Sequence, residues 1–145
     1  MKKVQPSYKT LVITVENKFG VLARVSGLFS RRGVNIKSLA VAPTDKDEFS
    51  RITVDVDIEL ESVSLDQIIN QLEKLINVVE IRALDPSQSV ERELMIVTVK
   101  AEANERDELV ENLYKVGGKV LNIGTDSMML YLVGTPSLID DFESF

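Results

Sequence analysis

Cysteine, histidine and tryptophan are all absent from this chain of 145 residues. Without thiols there is no disulfide framework and no thiolate nucleophile. Without imidazole, the commonest general base and a principal zinc ligand are missing too. Long apolar runs are also lacking. The longest, Met128–Val133, falls far short of the roughly 20 residues of a membrane-spanning helix. The opening residues MKKVQPSYKT contain no apolar core of a signal peptide. These absences predict a soluble, cytoplasmic protein whose business is neither redox chemistry nor metal catalysis.

What is present suffices for a core: 44% of the residues are hydrophobic, and the length allows one ordinary domain or two small ones. Charge argues for two. Residues 1–84 carry 12 basic and 11 acidic side chains, whereas residues 85–145 carry 5 and 12. The overall balance of −6 argues against nucleic acid or an anionic membrane as a partner.

Patterning supports the same division. In YKTLVITVE, Leu11, Ile13 and Val15 alternate as on a strand. Val21, Leu22, Val25, Leu28 and Phe29 then form one helical stripe, closed by Arg31, Arg32 and Gly33. Basic residues before a glycine suit a helix C-terminus, which accounts for those arginines without a binding role. A strand NIKSLAVAP, a polar loop TDKDEFS and the strand RITVDVDI follow. In the last of these, Ile52, Val54, Val56 and Ile58 share one face, and Arg51, Thr53, Asp55 and Asp57 share the other. That is the signature of an antiparallel sheet covered by helices on one side. Ser64 and Gln67 form a capping box ahead of a helix with Leu65, Ile68, Ile69, Leu72 and Ile76 on its buried stripe. VVEIRAL supplies a fourth strand. The order is βαββαβ, an α+β unit over residues 1–84 with a four-stranded sheet and two helices on one face.

DPSQSVER, residues 85–92, reads as a linker, after which the order restarts over residues 93–145. RELMIVTVKA is a strand, and NERDELVENLYKV is a helix with Asn104 as its cap and Gly117-Gly118 as its stop. KVLNIG and SMMLYLVG are two more strands. Thr135 and Pro136 open a helix whose first apolar residues are Leu138, Ile139 and Phe142. The repeat then stops without a last strand, so the second unit is expected to be incomplete.

Few residues suggest a reaction. Ser26 and Ser30 have no histidine base anywhere in the chain. Asp45, Asp47 and Glu48 lack the glycine and oxygen-ligand spacing of a calcium loop and fit a solvated hairpin. Asp55 and Asp57 fit a wet sheet face. RNA-recognition modules share the βαββαβ order, but they stack bases on aromatics from central strands, and RITVDVDI offers aspartates instead.

The stretch ENKFGVLARVSGLFSRRGVNI, residues 16–36, is different. First-turn amides of a helix have no intrahelical partners and lie at the positive end of its dipole, where a carboxylate is a natural ligand. Gly20 permits close approach. Asn17 and Asn35 can donate to a carboxylate and accept from an ammonium group. Val21, Leu22 and Ile36 supply an apolar wall. A small zwitterion with an aliphatic side chain suits this set, and so does a plain capped turn with no ligand at all.

The run from Glu16 and Asn17 through Gly20, Val21 and Leu22 to Asn35, Ile36 and Pro43-Thr44, followed by SRITV, closely resembles the regulatory small subunits of acetolactate synthase (acetohydroxyacid synthase). The likeness extends in order over residues 8–134, including VERELMIVTVKA. It implies an N-terminal ACT domain followed by a second ferredoxin-like domain. It also implies a non-catalytic subunit that stimulates a catalytic large subunit and confers feedback inhibition by valine, or by leucine or isoleucine. The effector is expected between the ACT domains of a homodimer, with Asn17, Gly20, Val21, Leu22, Asn35 and Ile36 as the site residues. Thiamine diphosphate, magnesium and FAD are expected on the large subunit only. A free-standing ACT sensor for another enzyme is the alternative, and a small enzyme on a ferredoxin-like fold is disfavoured by the missing histidine and cysteine.

Overall fold

The computed structural model describes residues 8–57 and 64–145, which divide into two compact units after Gln88. In the first unit, β1 (Tyr8–Glu16), α1 (Val21–Arg31), β2 (Ile36–Pro43), β3 (Phe49–Asp57), α2 (Leu65–Glu73) and β4 (Val78–Ala83) follow one another along the chain. The antiparallel sheet has the order β2-β3-β1-β4, so β2 and β4 are edges. Register pairs Leu11 with Val54 and Ile13 with Ile52, which puts the alternating apolar residues of β1 and β3 on one face. Both helices cover that face. Their stripes, Val21, Val25, Leu28 and Phe29 from α1 with Ile68 and Leu72 from α2, close a core with Leu11, Ile13, Val15, Ile52, Val54 and Val56. Apart from Val12, Ala40 and Ala42, the opposite face is polar. There, Thr10 Oγ1 donates to Asp55 at 2.6 Å, and the Ser38 hydroxyl donates to the other oxygen of the same carboxylate.

Gly33, at φ 69°, ends α1 in a Schellman motif: Val34 N donates to Phe29 O at 3.0 Å and Gly33 N to Ser30 O at 3.1 Å. At α2, the Ser64 side chain accepts from Gln67 N, as its position before the apolar stripe predicts. The stripe itself is shorter than its periodicity suggests. The helix ends at Glu73, a turn follows, and Ile76 is 86% exposed rather than buried. Leu75 N turns back to Leu72 O and Val78 N to Leu75 O, which swings Ile76 out of the helical path. Ile58 lies outside the described residues.

The second unit contains β5 (Glu93–Lys100), α3 (Arg106–Lys115), β6 (Lys119–Ile123), β7 (Ser127–Gly134) and α4 (Pro136–Glu143), with sheet order β5-β7-β6. Ala101, Leu113, Met128 and Leu130 form its buried cluster, with Val97, Val99, Leu109, Val110, Val120 and Phe142 packed around them. Gly117, at φ 81°, ends α3 as Gly33 ends α1, with Gly118 N donating to Leu113 O at 2.9 Å and Gly117 N to Tyr114 O at 3.1 Å. Thr135 caps α4 through Leu138 N, with Pro136 in the first turn. Asn104 is not the cap of α3. Glu105 takes the N-cap position, and its carboxylate accepts from Glu102 N at 3.1 Å, so the turn closes one residue later. Arg106 fixes this corner by donating to the carbonyls of Ala101, Gly124 and Thr125. No helix among the described residues is long and apolar enough to cross a membrane.

Candidate ligand site at the start of the first helix

Four residues separate β1 from α1, and backbone contacts hold them from two sides. Asn17 N donates to Glu48 O at 2.7 Å and Asn17 Nδ2 to Asp47 O at 3.0 Å, so this asparagine clasps the β2–β3 hairpin. Glu16 N donates to Asn77 O at 2.8 Å, and Arg24 Nη1 donates to Asn77 Oδ1 at 2.7 Å, which ties the α2–β4 turn to the same corner. Lys18 Nζ sits 2.6 Å from the Glu16 carboxylate. The hydrogen bond from Lys18 is the main reason that the Glu16 carboxyl lies below the ordinary glutamate range.

Gly20 is the N-cap of α1, at φ 81° and ψ −3°. That left-handed conformation suits glycine, and a cap without a side chain offers the amides of Leu22 and Ala23 no acceptor, while Val21 N donates to Lys18 O at 3.4 Å. No acidic residue stands in the first turn either. The positive end of this helix is therefore left without a protein anion, in a turn held rigidly from both sides. A Cβ built at Gly20 would meet nothing within 4 Å, so the space in front of the turn is open. Val21 is buried in the core behind the turn, whereas Leu22 is exposed beside it. The arrangement can receive a carboxylate on backbone N–H groups next to an aliphatic surface.

Asn35 and Ile36 lie elsewhere. Asn35 O accepts from Asp57 N at 3.0 Å, at the far end of β3 from Glu48, which Asn17 contacts. Nine residues of β3 separate these contacts, roughly 26 Å at a rise of about 3.3 Å per residue. One copy of the chain thus brings Asn17, Gly20, Val21 and Leu22 together and holds Asn35 and Ile36 at the opposite end of the sheet. A shallow depression of about 480 Å³ borders the hairpin end on the helix-free face, lined by Ala40, Ala42, Arg51 and Thr53 among others. None of the six candidate residues lines it.

Sequence reasoning passed over Phe19, whose side chain is fully exposed in the middle of the clasped turn. An aromatic between Lys18 and Gly20, off the apolar stripe of α1, is the signal that marks it. Arg24 and Asn77 were missed as well, because their contact joins residues 53 positions apart. Among the described residues no group of histidine, cysteine, aspartate or glutamate side chains could hold a metal ion.

A βαββαβ sheet whose first helix opens on an uncapped, accessible turn belongs with the ACT-type modules. Residues 11–80 match the ACT domain of the AHAS small subunit-like type, and residues 92–145 match the family model for the small subunit of acetolactate synthase. The chain belongs to the acetolactate synthase small-subunit family. It is 44% identical over 131 residues to the acetolactate synthase small subunit of Mycolicibacterium smegmatis, covering 90% of this chain and 76% of that protein. It is 40% identical over 134 residues to the isozyme 3 small subunit of Escherichia coli K12, with 92% and 81% covered. The crystal structure of the acetolactate synthase small subunit from Thermotoga maritima superposes with a TM-score of 0.81 at 27% identity, over 94% of this chain and 84% of that one.

Proposed function

We propose that this chain is a regulatory subunit that binds a branched-chain amino acid, valine foremost, and transmits its presence to the catalytic large subunit of acetolactate synthase. The single observation that carries this reading is the start of α1, where a glycine cap and an acid-free first turn leave a carboxylate-ready set of amides beside Leu22. In this reading the subunit stimulates its partner, imposes feedback inhibition and catalyses nothing itself. Thiamine diphosphate, magnesium and FAD belong to the large subunit. Leucine and isoleucine are the competing effectors, since one methylene in an apolar pocket is worth only about 1–3 kcal/mol.

The wide separation of Asn17 and Asn35 favours a homodimer as the binding species. The β2 edge is unpaired in the sheet order, and Leu39 and Val41 on it are exposed. If two β2 strands pair antiparallel over their full length about a two-fold axis, Ile36 of one copy falls opposite Pro43 of the other. Asn35 of that copy then lies beside the hairpin that Asn17 clasps. The six candidate residues become one site, built from two chains, and the exposed edge is covered. Light scattering should report a dimer with and without valine; a monomer in both would defeat the two-chain site.

The effector reading is tested with Gly20→Asp. An aspartate there puts a fixed anion where the ligand carboxylate would sit, and an acidic group is tolerated at a helix N-terminus. The left-handed φ adds a strain of about 1 kcal/mol. In reconstituted holoenzyme, valine inhibition should be lost while circular dichroism shows the fold retained. Full inhibition by valine in the folded variant would put the site elsewhere. Co-purification with the large subunit separates this reading from a free-standing ACT sensor serving another enzyme.

A further inference from the structure

The edge strand β2 contains an irregularity that decides which way Ile36 faces. Ser38, Ala40 and Ala42 stand opposite Asp55, Thr53 and Arg51, on the helix-free face of the sheet. Strict alternation would put Ile36 on that face as well, opposite Asp57. The register instead shifts between Ile36 and Ser38, so that Ile36 stands opposite Val56 and packs against the core on the helix side. Lys37 is the extra residue of a β-bulge, a device that re-aims neighbouring side chains.

Contacts from the two neighbouring strands hold this bulge. Thr10 Oγ1 on β1 donates to one oxygen of Asp55 at 2.6 Å, and the Ser38 hydroxyl donates to the other. Asp55 thus ties β1, β2 and β3 together immediately beside the extra residue. Lys37 Nζ lies 4.5 Å from the centre of the Tyr8 ring, an attraction between a cation and a ring face. Asp57 N donates to Asn35 O at 3.0 Å, which fixes the chain just before the bulge. Asn35, Lys37 and Ser38 are each pinned in this way at the start of an edge strand.

We propose that the Lys37 bulge assembles the effector site and that Asp55, acting through Ser38, is a positioning residue for it. The inference rests on the two-chain reading above. In that reading Asn35 and Ile36 of one copy meet Gly20 and Leu22 of the other, and α1 lies on the helix side of its sheet. Antiparallel edges paired about a two-fold axis continue one sheet and keep the helices of both copies on the same side. An Ile36 turned to the helix-free face would therefore leave the partner's first turn without its aliphatic wall. The bulge brings Ile36 round to the side on which a ligand at that turn is held. Asp55 touches no ligand itself; it fixes Ser38, Ser38 fixes the bulge, and the bulge sets the wall. A bulge that served only to blunt an exposed edge would act on association instead.

Calorimetric titration of the full chain with valine and valine inhibition of the reconstituted holoenzyme test this together. Deleting Lys37 restores strict alternation and should abolish both. Ser38→Ala should weaken valine binding about tenfold, the worth of one hydrogen bond to a charged group. Ser38→Thr keeps the hydroxyl and should return the affinity to within about twofold of the original. Sedimentation equilibrium should show self-association unchanged in both Ser38 variants, and circular dichroism the fold retained. If the deletion variant does not fold, the Ser38 pair decides. Unchanged valine affinity in folded Ser38→Ala overturns the proposal, and so does an equal weakening in Ser38→Thr. Altered self-association with unchanged valine affinity also overturns it, by assigning the bulge to edge protection. Failure of the effector reading is separable: full inhibition in folded Gly20→Asp overturns both, whereas inhibition lost in Gly20→Asp and intact in Ser38→Ala overturns this proposal alone.

Discussion

Away from its helices, the first sheet shows Thr10, Val12, Thr14, Arg51, Thr53 and Asp55, while the second shows Leu94, Ile96, Thr98, Met129, Tyr131 and Val133. Towards the helices the two are alike, each with large aliphatic residues at alternate positions and each with its first helix ended by a glycine Schellman motif. The fold dictates the inner face, because helix cover demands apolar residues there. It leaves the outer face to whatever that face meets. In the first unit the outer face satisfies itself, with Thr10 and Ser38 both donating to Asp55. In the second, only another surface can remove the apolar residues from water.

The largest effect that would test the likeness of the inner faces is core truncation. Phe29 and Leu130 are both fully buried, one in each unit. Phe29→Ala should lose about 3–5 kcal/mol and Leu130→Ala about 2–5 kcal/mol in urea titrations. A loss below 1 kcal/mol at Leu130 would mean that the smaller core is not what holds the second sheet to its helices.

Glycines sharpen the contrast at the next scale. At Gly118 a Cβ would collide with the Leu113 side chain and crowd the backbone oxygen of Tyr131. Gly118→Ala should therefore destabilise by about 1–3 kcal/mol, as overpacking does. Gly27, within α1, has no neighbour within 4 Å of a built Cβ. Gly27→Ala should stabilise by about 0.5–1 kcal/mol through helix propensity alone. Thermal melts of the two variants should move in opposite directions.

The smallest effect concerns Glu16. Its folded carboxyl is held below the ordinary range by the hydrogen bond from Lys18, so the contribution to stability is present at neutral pH and is lost as pH falls through the lowered value. Lys18→Ala should return the Glu16 titration, followed by carbon-detected NMR, toward the usual glutamate range. The pair lies at the surface, with Lys18 exposed and Glu16 partly so, and the melting temperature should hardly change.

Strand and helix identities are legible because alternation and the 3.6-residue stripe are imposed by the one-sided core. Gly33, Gly117, Ser64 and Thr135 announce their helix ends through local chemistry. Ile76 and Asn104 mislead because a stripe can be continued past a helix by one apolar residue, and a capping residue by its neighbour. Placement of the site is half legible. The left-handed Gly20 turn is set by local backbone geometry, which the sequence carries. Asn17 and Asn35 flank one helix in sequence, but α1 runs antiparallel to β1 and carries the chain the length of the sheet before β2 begins. Their separation is a property of topology, which no local pattern encodes. The outer face of β5 and β7 was visible as apolar residues, but LMIV and MMLYLV read equally as strands buried on both sides.

Gly20 has no side chain to accept from the first-turn amides, so an anion bound there would complete the helix as its cap. Occupancy and end-fraying then become one equilibrium, since a ligand bound only to the wound first turn holds it closed in proportion to its concentration. The amide protons of Leu22 and Ala23 would exchange with solvent more slowly as the ligand is added. The helix itself would serve as the gauge of how much effector the surroundings contain.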